Sequence, residues 1–391
     1  MKTFIYTAAA ALTATTLSAE PWPQGEPNTQ FQPAFEGQTR ADAVLSDLEL
    51  QVEPLVEGLE NPWALAFLPD GSVLITERPG RLKLYKDGAV NDVAGIPEVF
   101  SEGQGGLLDV AIAPDFNSSR TIFLSYAEPR GELNGTAVAR MTLTEDGTAV
   151  ENVEVLFQQQ PGYGGAQHFG SRIVPTADGN LFVTLGERSD PEPRKLAQEL
   201  DGHLGKVVRI GQQPGQTPEN PLAQQGALPE IYAYGVRNPQ GAALDADGQL
   251  WAIEHGPRGG DELNRIEAGK NYGWPAISYG INYSGEPISE GISARDGMEQ
   301  PVYYWDPVIA PSGMIFYDGA MFPDWQGDVL IASLSRAMLV RLEMDGQRVT
   351  GEEQFPLDIG RVRDVQQAPD GSLWVVTDEA DGGMYRVTPK S

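Results

Sequence analysis

One unit recurs along this chain and sets most of what it can become: a turn built on Asp-Gly or a near relative, followed at once by a short run of β-branched, aliphatic and aromatic residues. The copies are PDGSVLIT (Pro69–Thr76), PDFNSSRTIFLSY (Pro114–Tyr126), ADGNLFVTLGE (Ala177–Glu187), ADGQLWAIEHG (Ala246–Gly256), WQGDVLIASL (Trp325–Leu334) and PDGSLWVVTD (Pro369–Asp378). Glycine and aspartate make the turn and the apolar run makes a strand. The runs begin at Val73, Ile122, Leu181, Leu250, Val329 and Leu373, in steps of 49, 59, 69, 79 and 44 residues. A four-stranded blade with its turns takes roughly 40–50 residues, so each step fits one blade, with extra loop in the third and fourth. Helical periodicity is scarce. The expected fold is all-β, a six-bladed β-propeller, with a pair of β-sandwiches as the alternative. Propellers must join their ends to avoid an open sheet edge, and LELQVEPLVEGL (Leu48–Leu59) is the candidate strand for closing the last blade.

The first residues, MKTFIYTAAAALTATTLSAE, read as a secretory signal cut after Ala19. The run is too short and too rich in Thr and Ala for a membrane span. Residues 20–45, with Pro21, Pro23, Pro27 and Pro33 among polar neighbours, read as a flexible leader, and 46–391 as the propeller. The expected setting is therefore periplasmic or secreted.

Cysteine is absent, which removes disulfides, thiolate nucleophiles and iron–sulfur clusters. His168, His203 and His255 are the only histidines. With so few, a hard cation held by carboxylates and carbonyls, such as calcium, is favoured over a histidine-ligated metal. The formal charge of −28, from 55 acids against 27 bases, opposes nucleic acid and anionic lipid. An anionic ligand would need arginines concentrated locally against that field.

The stretch Ile231–Pro275 crowds Arg237, Asn238, His255, Gly256-Pro257, Asp261, Glu262 and Tyr272 around the short apolar run Leu250–Ile253, as a site carried on loops of a β scaffold would. His168, in GYGGAQHFGSRIV, sits at a loop-to-strand junction, where a histidine suits a general base. A lone histidine is more often structural. His203 reads as a turn residue, and His255 as one that shapes the site. Arg361 and Arg363 in RVRD share a face by strand alternation. Together with Arg237 and Arg336 they would form a pocket for a small polycarboxylate. Carbonyls at Gly256 and Pro257 with carboxylates at Asp261 and Glu262 offer the oxygens calcium takes, although the spacing is not that of an EF-hand.

The sequence resembles the soluble quinoprotein glucose dehydrogenases, most closely their aldose sugar dehydrogenase branch. The likeness runs from NPWALAFLPDGSVLITERPGRL (Asn61–Leu82) through GQGGLLDVAIAPDF, QHFGSRIV, YGVRNPQG, EHGPRGGDELN, GKNYGWP and RVRDV to PDGSLWVVTD. The resemblance implies a six-bladed propeller that binds pyrroloquinoline quinone (PQQ) and calcium. It implies that His168 removes the anomeric hydroxyl proton of an aldose while hydride passes to the quinone. It places Gln104, Arg237, Asn238, Tyr283, Arg336, Arg361 and Arg363 at the quinone, Gly256 and Pro257 at the calcium on the cofactor, and Glu262 with Tyr272 at a second calcium position. The glucose dehydrogenase branch carries a lysine near Arg336, so that contact rests on charge type. Expected partners are an aldose sugar and an electron acceptor of the respiratory chain, with no nucleic acid and no membrane span, and a monomer or homodimer. Two other readings remain at this point: a calcium-dependent propeller lactonase or esterase, which needs acids from several blades on the axis, and a noncatalytic binding propeller.

Overall fold

A computed structural model describes residues 20–390, so the expected signal segment lies outside the described residues. Six four-stranded antiparallel sheets follow one another as blades. Their inner strands are Pro62–Phe67, Leu107–Ile112, Gly170–Pro175, Pro239–Leu244, Pro311–Phe316 and Val362–Gln367, and neighbouring inner strands touch in a closed ring. The recurring apolar run forms the second strand of every blade, and the turn before it joins that strand to the inner one. Each second strand is packed between two blades, which explains why the runs are apolar on both faces. Val73–Glu77, Leu250–Glu254 and Val329–Ser333 are buried at every position. Each fully buried aliphatic side chain there contributes about 1.5–3 kcal/mol.

The sixth blade is closed from the other end of the chain. Leu50–Leu59 pairs antiparallel with Gly382–Pro389, from Leu50 opposite Pro389 to Leu59 opposite Gly382. The extra length of the third and fourth blades lies where the repeat spacing put it. One insertion falls between Leu185 and Lys206, and another between Arg265 and Tyr303.

The flexible leader is a correction. Residues 20–46 lie against the outer edges of the fourth and fifth blades and are held by polar contacts. Trp22 Nε1 donates to Glu352 O (2.6 Å), Val44 N donates to the same carbonyl (2.8 Å), and Ala41 N donates to the Tyr303 hydroxyl (2.9 Å). Gln38 is fully buried and bonds Pro301 O (2.8 Å), while Tyr304 N donates back to Gln38 O (2.9 Å). The proline-rich, polar composition that reads as disorder serves to cap two exposed strand edges. No helix among the described residues is long and apolar enough to cross a membrane.

Candidate functional site

His168 stands in the left-handed region (φ 49°) just before the inner strand of the third blade. Glycines fix what lies beside it. A Cβ at Gly186 would come within 2.0 Å of His168 O, and one at Gly170 within 2.7 Å of Thr184 O, so the two backbones can approach only through glycine. That approach delivers the next residue, Glu187, to the imidazole. Glu187 Oε1 lies 2.8 Å from His168 Nδ1, and Oε2 accepts from Ser189 N at 2.7 Å. Glu187 N donates to Arg237 O (3.0 Å), and His168 N donates to Gln104 Oε1 (2.8 Å). Burial and then the Arg237 charge hold the His168 pKa below its ordinary value, with Glu187 opposing them. The imidazole is thus neutral at pH 7. Its Nδ1–H is committed to a carboxylate, and Nε2 has no protein partner among the described residues. Arg188, fully buried, secures the preceding loop: it donates to Gln167 O (2.9 Å) and Asn134 Oδ1 (2.7 Å) and lies 3.9 Å over the Phe169 ring.

Next to this pair is a cavity at the mouth of the ring, lined by Gln104, Asn238, His255 and a cluster of charge: Arg78, Arg361, Arg363 and Asp378. The three guanidinium groups surround the one carboxylate. Arg363 Nη2 bonds Asp378, Arg78 Nη2 is 3.6 Å from it and Arg361 Nη2 3.7 Å. Burial alone would raise the Asp378 pKa, but Arg363, Arg78 and Arg361 bring it below its usual value. The cluster keeps an excess of positive charge in a strongly acidic protein. Among the described residues, Arg78 Nε, Arg237 Nε and Arg363 Nε are buried without a hydrogen-bond partner, which leaves each as a donor for an anionic acceptor.

A second recess adjoins Arg237 and is bounded by Glu254, His255, Gly256, Glu262, Tyr272 and Trp274. Glu254 Oε2 accepts from Arg237 N and Asn238 N (3.2 Å), and Asn264 Nδ2 stands 3.3 Å from both Glu254 and Glu262. Burial and then the neighbouring Glu254 charge push the Glu262 carboxyl well above its usual range. Carbonyls are at hand, since His255 O and Gly256 O accept Arg237 Nη1 at 2.8 and 3.0 Å. Among the described residues no three acid, histidine or cysteine side chains converge as a metal cluster. A cation here would take carboxylates and carbonyls, a donor set suited to calcium. Asp261 is a brace. Its two oxygens accept from Gly256 N, Ile309 N and Ala310 N at 2.7 Å each.

The structure brings together His168, Gln104, Arg237, Asn238, Arg361, Arg363, Gly256, Glu262 and Tyr272, with Pro257 in the turn beside them. The Tyr272 hydroxyl is taken up by Arg265 O (2.6 Å) and Glu267 N (2.8 Å), which leaves only its main chain for a cation. Two expected residues fall outside. Arg336 Nη2 turns to Gln24 O (2.8 Å) in the N-terminal segment, and Tyr283 is 74% exposed on the long fourth-blade insertion. Neither lines the cavity of Arg361 and Arg363. Sequence reasoning did not single out Glu187, Arg78, Asp378 or Glu254. Each follows or ends a second strand, and that shared position was the available signal.

The glucose/sorbosone dehydrogenase family model matches residues 59–386. The chain belongs to the glucose/sorbosone dehydrogenase family. Within it, the aldose sugar dehydrogenase of Escherichia coli (strain K12) is 44% identical over 350 residues, 88% of this chain and 94% of that one. Quinoprotein glucose dehydrogenase B of Acinetobacter calcoaceticus is 28% identical over 408 residues, 83% and 85% of the two chains. The apo crystal structure of the soluble Escherichia coli aldose sugar dehydrogenase superposes with a TM-score of 0.84 over 88% of this chain and all of that one, at 44% identity. A PQQ-bound aldose sugar dehydrogenase from Streptomyces coelicolor gives 0.72 at 28% identity, over 88% and 99%. This chain is accordingly a glucose-type sugar dehydrogenase on a six-bladed propeller.

Proposed function

We propose that this enzyme oxidises aldose sugars at C1 to lactones, using PQQ and calcium, with His168 as the general base. The observation that carries the reading is the His168–Glu187 pair beside a cavity whose arginines have buried, unpartnered nitrogens. PQQ bears three carboxylates, which suit Arg78, Arg237, Arg361 and Arg363. Gly256 and Pro257 would offer carbonyls to the calcium on the cofactor, and Glu262, Glu254 and the Tyr272 main chain would offer oxygens at a second calcium position. PQQ, when bound, would supply a hydride acceptor, and calcium would supply Lewis acidity to it.

The chain's own residues do the rest. Neutral His168 takes the anomeric hydroxyl proton on Nε2, and Glu187 holds the ring and stabilises the imidazolium that forms. Gln104 fixes the His168 backbone. The electron acceptor would belong to the respiratory chain, in a periplasmic or secreted setting. The axial acids do not offer a hydrolase centre. Asp109 and Asp364 are both bonded to Arg172, at 2.8 and 3.0 Å.

Purified apoprotein should gain dye-linked aldose oxidation when PQQ and calcium are added together. Lactone hydrolysis without that gain would overturn the reading.

A further inference from the structure

We infer that Asn28, on the N-terminal segment, is a positioning residue for the turn Gly256–Gly260, so that the segment sets how readily the site takes calcium. This rests on the proposed function, because it assigns the Gly256 and Pro257 carbonyls to the cation. The turn has little room. A Cβ at Gly256 would lie 2.2 Å from Gly259 O, and one at Gly259 would lie 2.6 Å from Asp306 Oδ1. Gly259 and Gly260 are both left-handed, with φ of 80° and 76°. Its backbone is tied on two sides: Gly260 N donates to Trp305 O (2.8 Å), while Arg258 N and Ile281 N exchange hydrogen bonds with Ile281 O and Arg258 O (3.2 and 3.0 Å).

The third tie comes from more than two hundred residues away. The Asn28 amide spans two partners: Nδ2 donates to Asp306 Oδ1 (2.7 Å), and Oδ1 accepts from Arg258 Nε (2.9 Å). Asp306 is buried, and the same segment saturates it. Asn28 N, Thr29 N and Thr29 Oγ1 all donate to its carboxylate at 2.9 Å. Arg40 Nη2 donates to Asp306 O (2.8 Å), and Arg336 holds Gln24 O. The carboxylate that backs Gly259 is thus set by the segment, and Arg258, the residue after Pro257, is bonded directly to Asn28 of that segment. Groups behind metal ligands commonly change affinity by roughly 10–100-fold when removed.

The test uses the full chain with Asn28→Ala, Arg258→Ala and the double variant. Arg258 is exposed, so its removal leaves the core intact. Each single variant should raise the calcium concentration needed for half-maximal PQQ binding, followed by cofactor absorbance, about 10-fold. The double variant should add little, because the two act through one contact. In calcium-free protein, hydrogen exchange at the Arg258 and Gly260 amides should quicken in both. This second readout does not depend on the cofactor. Wild-type calcium demand or wild-type exchange in both single variants overturns the inference and leaves the proposed function standing. Failure of wild-type protein to bind PQQ with calcium overturns the proposed function and the inference with it.

Discussion

Replacing Glu187 with glutamine tests the mechanism at its most specific point. The substitution keeps size and an acceptor for His168 Nδ1–H, whose partner oxygen lies 2.8 Å away, but removes the charge. A hydrogen bond with an ionised partner contributes about 1.5–3 kcal/mol, against about 0.5–1.5 for a neutral one. The difference, about 1–1.5 kcal/mol, falls on the imidazolium formed as the proton is taken, so kcat should drop about 5–12-fold, since about 1.4 kcal/mol is tenfold. The pH profile gives the sign. Burial and Arg237 lower the His168 pKa and Glu187 raises it. Without Glu187 the base is weaker and stays neutral to lower pH, so the acid limb of kcat should move down about one unit, at about 1.36 kcal/mol per unit. Steady-state kinetics from pH 4 to 8, with PQQ affinity measured alongside, decide it. An unchanged rate with an unmoved limb, or a rate loss matched by loss of PQQ binding, would refute the assignment.

Other outcomes follow from the same geometry. His168→Ala should keep PQQ binding and lose roughly 10²–10⁴-fold in kcat, and equal loss of both would make the residue structural. Arg78→Ala should weaken PQQ binding about 10-fold or more through loss of a charged hydrogen bond, read by cofactor titration; unaltered affinity removes Arg78 from the site. In calcium-free protein the Glu262 carboxyl has a folded pKa well above the unfolded value near 4.5. The folded state therefore holds the extra proton, and its stability falls as pH rises above about 4.5. Thermal melts should show Tm declining from pH 5 to 8, and calcium should reduce that decline. Removing residues 50–59 should leave Gly382–Pro389 as an open edge and give aggregated protein on gel filtration; a folded, monomeric truncation would contradict blade closure.

The ring was legible because it is repeated. Six second strands share one local signal, and the closing strand Leu50–Leu59 follows from the need to seal the sixth sheet, although its alternation lasts only from Leu50 to Glu53 before bulges interrupt it. Arg361 and Arg363 do line one cavity as expected, although Arg361 precedes the strand Val362–Gln367, so strand alternation is not what brings them together. Glu187 was not legible, because its meaning comes from the contact of Gly186 with His168 across a blade. Arg336 looked like a quinone contact by charge, and only its bond to Gln24, 312 residues earlier in the chain, shows where it points. The N-terminal segment misled most. Its ordering comes from hydrogen bonds to Asp306 and Glu352, which composition does not carry.

In the proposed function, arginines and a divalent cation together grip an acidic quinone beside His168. Titrating the purified chain with PQQ, with and without calcium, tests this most directly. Saturation at one PQQ per chain that requires calcium and is lost in Arg237→Ala and Arg363→Ala is the predicted result. Folded wild-type protein that shows no saturable PQQ binding in calcium would contradict the claim.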